Sequence, residues 1–103
     1  MENKFKISVL PLFEQDMTDA VQYISQTLDN PSAAERLLDQ TYAAIKERSE
    51  HPLAFAPYED GKKRKDKYYR INIHNFSVFY VVLGDVMEVR RFIYNRRDLQ
   101  NII

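Results

Sequence analysis

Apolar and polar residues change rhythm along this chain, and each change marks an element. From Lys4 to Leu10 they alternate, with Phe5, Ile7 and Val9 on one side and Lys6 and Ser8 on the other, as in a half-buried strand. Pro11 ends that strand. From Leu12 onward, Phe13, Met17, Ala20, Val21, Ile24 and Leu28 recur at spacings of three and four, which lays them along one stripe of a helix. The stretch "LDNPSAAE" is punctuation: Asn30 can cap, Pro31 suits a first helical position, and Ser32 with Glu35 has capping-box spacing. A second helix follows with Ala34, Leu37, Leu38, Thr41, Ala44 and Ile45 facing inward, ending before His51-Pro52 because the residue before a proline is pushed out of the helical region. So short a connection makes the two helices antiparallel neighbours.

Residues 52–67, "PLAFAPYEDGKKRKDK", hold two prolines and a glycine without periodicity, and read as an irregular loop of more than usual length. The period then becomes two. Tyr69, Ile71 and Ile73 alternate with Tyr68, Arg70 and Asn72, and His74-Asn75 makes a turn. Phe76 to Leu83 is nearly all apolar, like a central strand covered on both sides. Gly84-Asp85 has the composition of a two-residue hairpin turn, and Val86 to Tyr94 returns antiparallel. The predicted fold is α+β, in the order β-α-α-β-β-β: a helical hairpin packed on one face of a small, mostly antiparallel sheet. The first strand can join beside the last, and the other face of the sheet is expected to stay partly open.

Length adds that residues 1–103 fit one domain, able to bury roughly 60 to 70% of its unfolded surface without staples. No cysteine is present, so neither a disulfide framework nor thiolate chemistry enters. No run approaches the roughly 18 apolar residues of a membrane span, and the opening Met-Glu-Asn-Lys leads into a strand, so a cytoplasmic protein without membrane contact is expected. Glycine-rich phosphate loops, zinc spacings and Ser-His-Asp orderings are absent from the sequence, and neither a metal nor a small-molecule cofactor is expected.

Charge changes the picture more. Net charge is zero, yet residues 1–60 hold 5 Lys and Arg against 11 Asp and Glu, and residues 61–103 hold 10 against 4. Such asymmetry predicts a positive field at one end of the molecule, attractive to phosphates or to an acidic partner. Its densest part is "GKKRKDK", where Lys62, Lys63, Arg64, Lys65 and Lys67 are candidates for binding nucleic acid or another target. A solvated, mobile loop explains such a run equally well. At the other end of this half, Arg90, Arg91, Arg96 and Arg97 crowd the last strand. Arg70 and an arginine of that strand are expected to share a concave surface with neighbouring tyrosines, a platform for phosphate and base. The stripe Tyr69, Phe76, Phe79, Tyr80, Phe92 reads as core.

The order of elements, with "YYRINIHNFSVFYVVLGDVMEVRRFIYNRRDLQNII", resembles the RelE/ParE family of toxins from bacterial type II toxin-antitoxin modules. The resemblance spans the chain but is specific in the last 36 residues, where Tyr69-Arg70 opens a strand and Arg91, Arg96, Arg97, Asp98 and Leu99 match the family's ending. Tyr94 stands where many members have histidine, and Ser77 where the ribosome-dependent ribonucleases have an arginine. The RelE-like branch cuts messenger RNA on the translating ribosome; the ParE-like branch inhibits DNA gyrase without chemistry of its own. Losing a charge-stabilising donor costs on the order of 10² to 10³ in rate, so Ser77 tilts the reading toward the ParE-like branch. The resemblance also implies a cognate antitoxin whose charged, amphipathic segment covers the toxin.

If the chain is a ribonuclease, its site residues are Arg70, Arg91, Arg96 and Arg97 as the phosphate clamp, Tyr94 as proton donor or stacking platform, and Glu59 or His74 as base. His74 reads more readily as an exposed turn residue, Tyr94 as strand-end packing and His51 as a cation beside a helix C-terminus. Asp98 is placed to orient one terminal arginine through a charge-assisted bond. A third reading is a basic nucleic-acid-binding module without toxicity.

Overall fold

The computed structural model describes residues 5–97 and 102–103. Its strands are β1 (Lys6–Val9), β2 (Tyr69–Ile73), β3 (Phe76–Leu83) and β4 (Val86–Tyr94), and its helices are α1 (Pro11–Gln22) and α2 (Pro31–Arg48), joined through a π-helical turn at Tyr23–Thr27. The strands form one sheet in the order β1-β4-β3-β2, antiparallel except for the parallel β1–β4 pair. The expected α+β architecture is therefore present, with the first strand beside the last. No helix among the described residues is long and apolar enough to cross a membrane.

Local chemistry sets the boundaries. Pro11 does more than end β1: it is the first residue of α1, where its missing N–H is no loss and its fixed φ suits the helix. Phe13 and Met17 of α1 are buried, but the π turn admits an extra residue and rotates the stripe. Leu28, expected to face inward, is 54% exposed for that reason, and Tyr23 is 55% exposed. Asn30 caps α2, its Oδ1 accepting from the Ala33 N–H at 3.2 Å. Because Asn30 holds the cap, Ser32 lies inside the helix and donates toward Asn30 Oδ1 instead of opening a capping box with Glu35. Ala34, Leu37, Thr41 and Ile45 are buried as their spacing predicts, and the Thr41 hydroxyl is satisfied by the Leu37 carbonyl at 2.7 Å.

The helices cover one face of the sheet. There Phe13 meets Phe92 edge-on at 5.9 Å, Phe92 stacks on Phe76 at 4.7 Å, and Tyr69 stacks on Tyr80 at 5.3 Å. At the outer strand β1 the alternation holds only in part: Phe5 and Val9 pack on the core while Ile7 is 41% exposed. In β4 the phase slips, since Val89 lies opposite Tyr80 whereas Arg91 lies opposite Phe79. Arg90 is thus the extra residue of a β-bulge, which lets Phe92 rejoin the helix-facing row begun by Met87 and Val89.

The opposite face is covered over its central strand and stays partly open at the outer strand β2, where Asn72 is exposed. Ser77, Phe79 and Val81 are 0% exposed. The irregular segment after α2 folds back across the sheet: the Tyr58 ring packs edge-on against Phe79 at 5.2 Å, and the Tyr58 N–H donates to the Tyr68 carbonyl at 2.7 Å.

Candidate functional site

The arginines of the C-terminal half do not open onto one hollow. Arg91 is gripped on two sides by Asp16 of α1, with Nε and Nη2 at 2.7 and 3.0 Å from its two carboxylate oxygens. One of those oxygens also accepts from the Phe92 backbone N–H at 3.0 Å. Because β1 pairs with β4 only as far as Val89, Asp16 satisfies a donor on the edge that β1 leaves bare. Arg90 donates to Glu88 at 2.7 Å, to Asp66 at 3.2 Å and to the Tyr68 hydroxyl at 3.2 Å. Arg64 makes a forked pair with Asp60 at 2.9 and 2.8 Å and also donates to the Ile103 carbonyl. Bonds to Asp60 hold the Arg64 proton more firmly than usual, and in turn keep the Asp60 carboxyl below the ordinary carboxylate range. The expected convergence fails because the acid-rich first half supplies Asp16 and Asp60 as partners. Asp98, assigned an orienting role from sequence, lies outside the described residues.

Arg70 is different. Its Nε donates to Ser77 Oγ at 2.7 Å and its Nη2 to Asn95 Oδ1 at 3.1 Å, and it has no carboxylate within ion-pair distance among the described residues. Ser77 Oγ lies within bonding distance of Asn95 Oδ1 and 3.3 Å from Asn72 Oδ1, so its single proton serves one of the two while its lone pair takes Arg70. The rings of Tyr58 and Phe79 flank the guanidinium at 5.6 and 5.8 Å. Ser77, which in the sequence looked like a lost phosphate clamp, is the acceptor that orients this one.

Sequence reasoning missed Arg48. It ends α2, lies 3.6 Å over the Phe55 ring, and donates to the Tyr80 hydroxyl at 3.0 Å and the Arg70 carbonyl at 3.3 Å. Arg70 sits on β2, the other outer strand, so Arg48 occupies an acceptor there much as Asp16 occupies a donor on β4. Burial pushes the Tyr80 phenol up, and Arg48 offsets part of that rise. The only sequence cue was a cation in a helix's last turn, which suits the helix dipole.

The remaining candidates lie in the loop, in the β2–β3 turn and around the end of β4. Glu59 is exposed in the loop. His74 occupies the β2–β3 turn at φ 54°, with Nε2 2.6 Å from Gln40 Oε1 of α2. Tyr94 packs on Phe76 at 5.4 Å and lines, with Arg97, Tyr23 and Leu28, an apolar cleft of about 670 Å³ between the helices and the sheet end. Arg96 and Arg97 are exposed in the turn after β4. Lys62, Lys63, Lys65 and Lys67 are exposed, whereas Arg64 is turned inward. No cluster of three or more His, Asp or Glu among the described residues could hold a metal.

Comparisons with known proteins agree on the fold. A family model described as "ParE toxin of type II toxin-antitoxin system, parDE" matches residues 7–99. Among solved structures, "Chromosomal ParDE TA system from P. aeruginosa" superposes with a TM-score of 0.72 at 12% identity, covering 89% of this chain and 97% of that one. No curated protein matches the sequence.

Proposed function

The chain belongs to the ParE toxin family of type II toxin-antitoxin systems, and from that premise we propose that it arrests growth by binding DNA gyrase, without chemistry of its own, and is neutralised by a cognate antitoxin. The observation that carries this reading is the prior engagement of Arg91 and Arg70, two of the cations a ribonuclease would need at the phosphate. Phosphodiester cleavage through a 2′-hydroxyl demands a base, an acid and cations around one phosphorus. Here Arg91 is already paired with Asp16 and Arg70 is taken up by Ser77, Asn95 and the Tyr58 ring, while His74 lines a cleft that adjoins the one lined by Tyr94 and Arg97. Such a surface favours recognition over catalysis. The apolar cleft beside Tyr23 and Leu28 supports an antitoxin segment as the covering partner, since apolar surface of that kind gains from being capped.

Expression of the chain should stop growth, with relief by co-expression of the antitoxin. Purified protein should block gyrase supercoiling and leave translated message intact. Cleaved message with normal supercoiling would overturn the reading in favour of a ribosome-dependent endonuclease; normal growth would leave a non-toxic binding module.

A further inference from the structure

The run from Lys63 to Tyr68 is ordered by its own charges. Exposure alternates through it: Lys63, Lys65 and Lys67 are exposed, and Arg64, Asp66 and Tyr68 between them are partly buried. Every inward residue is held. Arg64 is forked onto Asp60 and lies 5.9 and 5.3 Å from the Tyr58 and Tyr68 rings; Asp66 and the Tyr68 hydroxyl both bind Arg90, each at 3.2 Å. The backbone is thereby anchored at every second position, and the intervening lysines point to solvent. None of the three has a carboxylate within ion-pair distance among the described residues. The acids interleaved with them are occupied, Asp60 by Arg64 and Asp66 by Arg90, and Glu59 is the exposed carboxylate nearest in sequence.

We propose that Lys63, Lys65 and Lys67 form a ridge that binds the phosphodiester backbone of nucleic acid without reading its sequence. Successive members lie within about 7 Å of one another at Cα however the chain bends, a spacing that suits a line of charges better than one anion. Ammonium groups are point charges on flexible stems, lacking the planar fork that reads a base edge or clamps a single phosphate. The outward row carries no apolar side chain, as suits a nucleic-acid contact and not the apolar centre of a protein interface. The assignment is independent of whether gyrase is the target.

The test is fluorescence anisotropy of labelled duplex DNA, single-stranded DNA and RNA of one length, over about 50 to about 200 mM salt. On duplex, the slope of log affinity against log salt should be near −2.7, about 0.9 for each neutralised phosphate. Replacing Lys63→Gln, Lys65→Gln and Lys67→Gln together should flatten that slope and weaken binding roughly tenfold or more at the lowest salt. A charge-matched control, Lys6→Gln with Arg36→Gln and Lys46→Gln, removes three exposed cations elsewhere and should leave the slope in place. The oligonucleotide held best names the form of backbone recognised. Equal loss in both triple variants, no binding at low salt, or equal displacement by poly-L-glutamate would each overturn the ridge. Growth arrest by the ridge variant reads the target assignment separately.

Discussion

On the helix side, the sheet meets Phe13, Met17, Leu37 and Ile45, an apolar cover. On the loop side, Phe79 meets Tyr58, and around them Arg64, Arg70 and Arg90 lie over rings or in carboxylate and amide bonds. Both covers bury the sheet: Val78 and Tyr80 on one face and Phe79 and Val81 on the other are all 0% exposed. The difference lies in what holds each cover down. Apolar burial supplies energy in proportion to area and tolerates small shifts; a paired guanidinium supplies little net energy but fixes position, because misplacing either partner strands a charge. The helix face should therefore carry stability and the loop face should carry geometry, which is where a binding surface needs it.

The sharpest way to break that comparison is a core truncation. Phe13→Ala removes a fully buried ring that touches Phe92 and Tyr42, and should cost about 3 to 5 kcal/mol. In urea unfolding the midpoint should fall with the slope unchanged. On the loop face the counterpart is Ser77→Ala, which takes an acceptor from Arg70 and a hydroxyl from the Asn72 and Asn95 amides while leaving the apolar contacts in place. Its cost should be smaller, about 1 to 2 kcal/mol, since Arg70 keeps Asn95 and part of its solvent contact. Equal losses at the two sites would erase the distinction between a cover that supplies energy and one that supplies position.

How much of this was legible follows the same division. Period-3.6 and period-2 patterns found α1, α2 and the β2–β4 meander because those elements bury a continuous apolar row, and burial is what periodicity records. The bulge at Arg90 also left a trace: apolar residues at Met87 and Val89 resume at Phe92, one position late, across two arginines. The π turn left none, because Ala20, Val21, Ile24 and Leu28 keep helical spacing whichever hydrogen bonds form. The loop cover was unreadable for a different reason. Residues 62–67 are all charged, so hydropathy cannot show which turn inward, and the Asp16–Arg91 pair joins positions 75 residues apart, with no local pattern to mark it. The candidate site was misjudged accordingly: basic residues could be counted from the sequence, but their partners could not.

The smallest effect isolates the loop cover alone. Asp60 is held by the Arg64 guanidinium, and secondarily by the Lys62 backbone N–H, below the ordinary carboxylate range. A carboxyl depressed in the folded state adds stability above its unfolded range and loses it as pH falls toward the folded value. The Arg64–Asp60 fork therefore persists through neutral and mildly acid solution and releases only in strong acid. Release should free Arg64 from the Tyr58 and Tyr68 rings without disturbing Phe13 or Tyr80, which lie on the far side of the sheet. Followed by NMR down an acid titration, the ring protons of Tyr58 and Tyr68 should shift together with the Asp60 carboxyl, while those of Phe13 hold their positions until global unfolding. Asp60→Asn should place the Tyr58 and Tyr68 signals near their acid positions already at neutral pH and remove that step. If Phe13 moved with the tyrosines instead, the two covers would be one cooperative unit, and the separation drawn between them would fail.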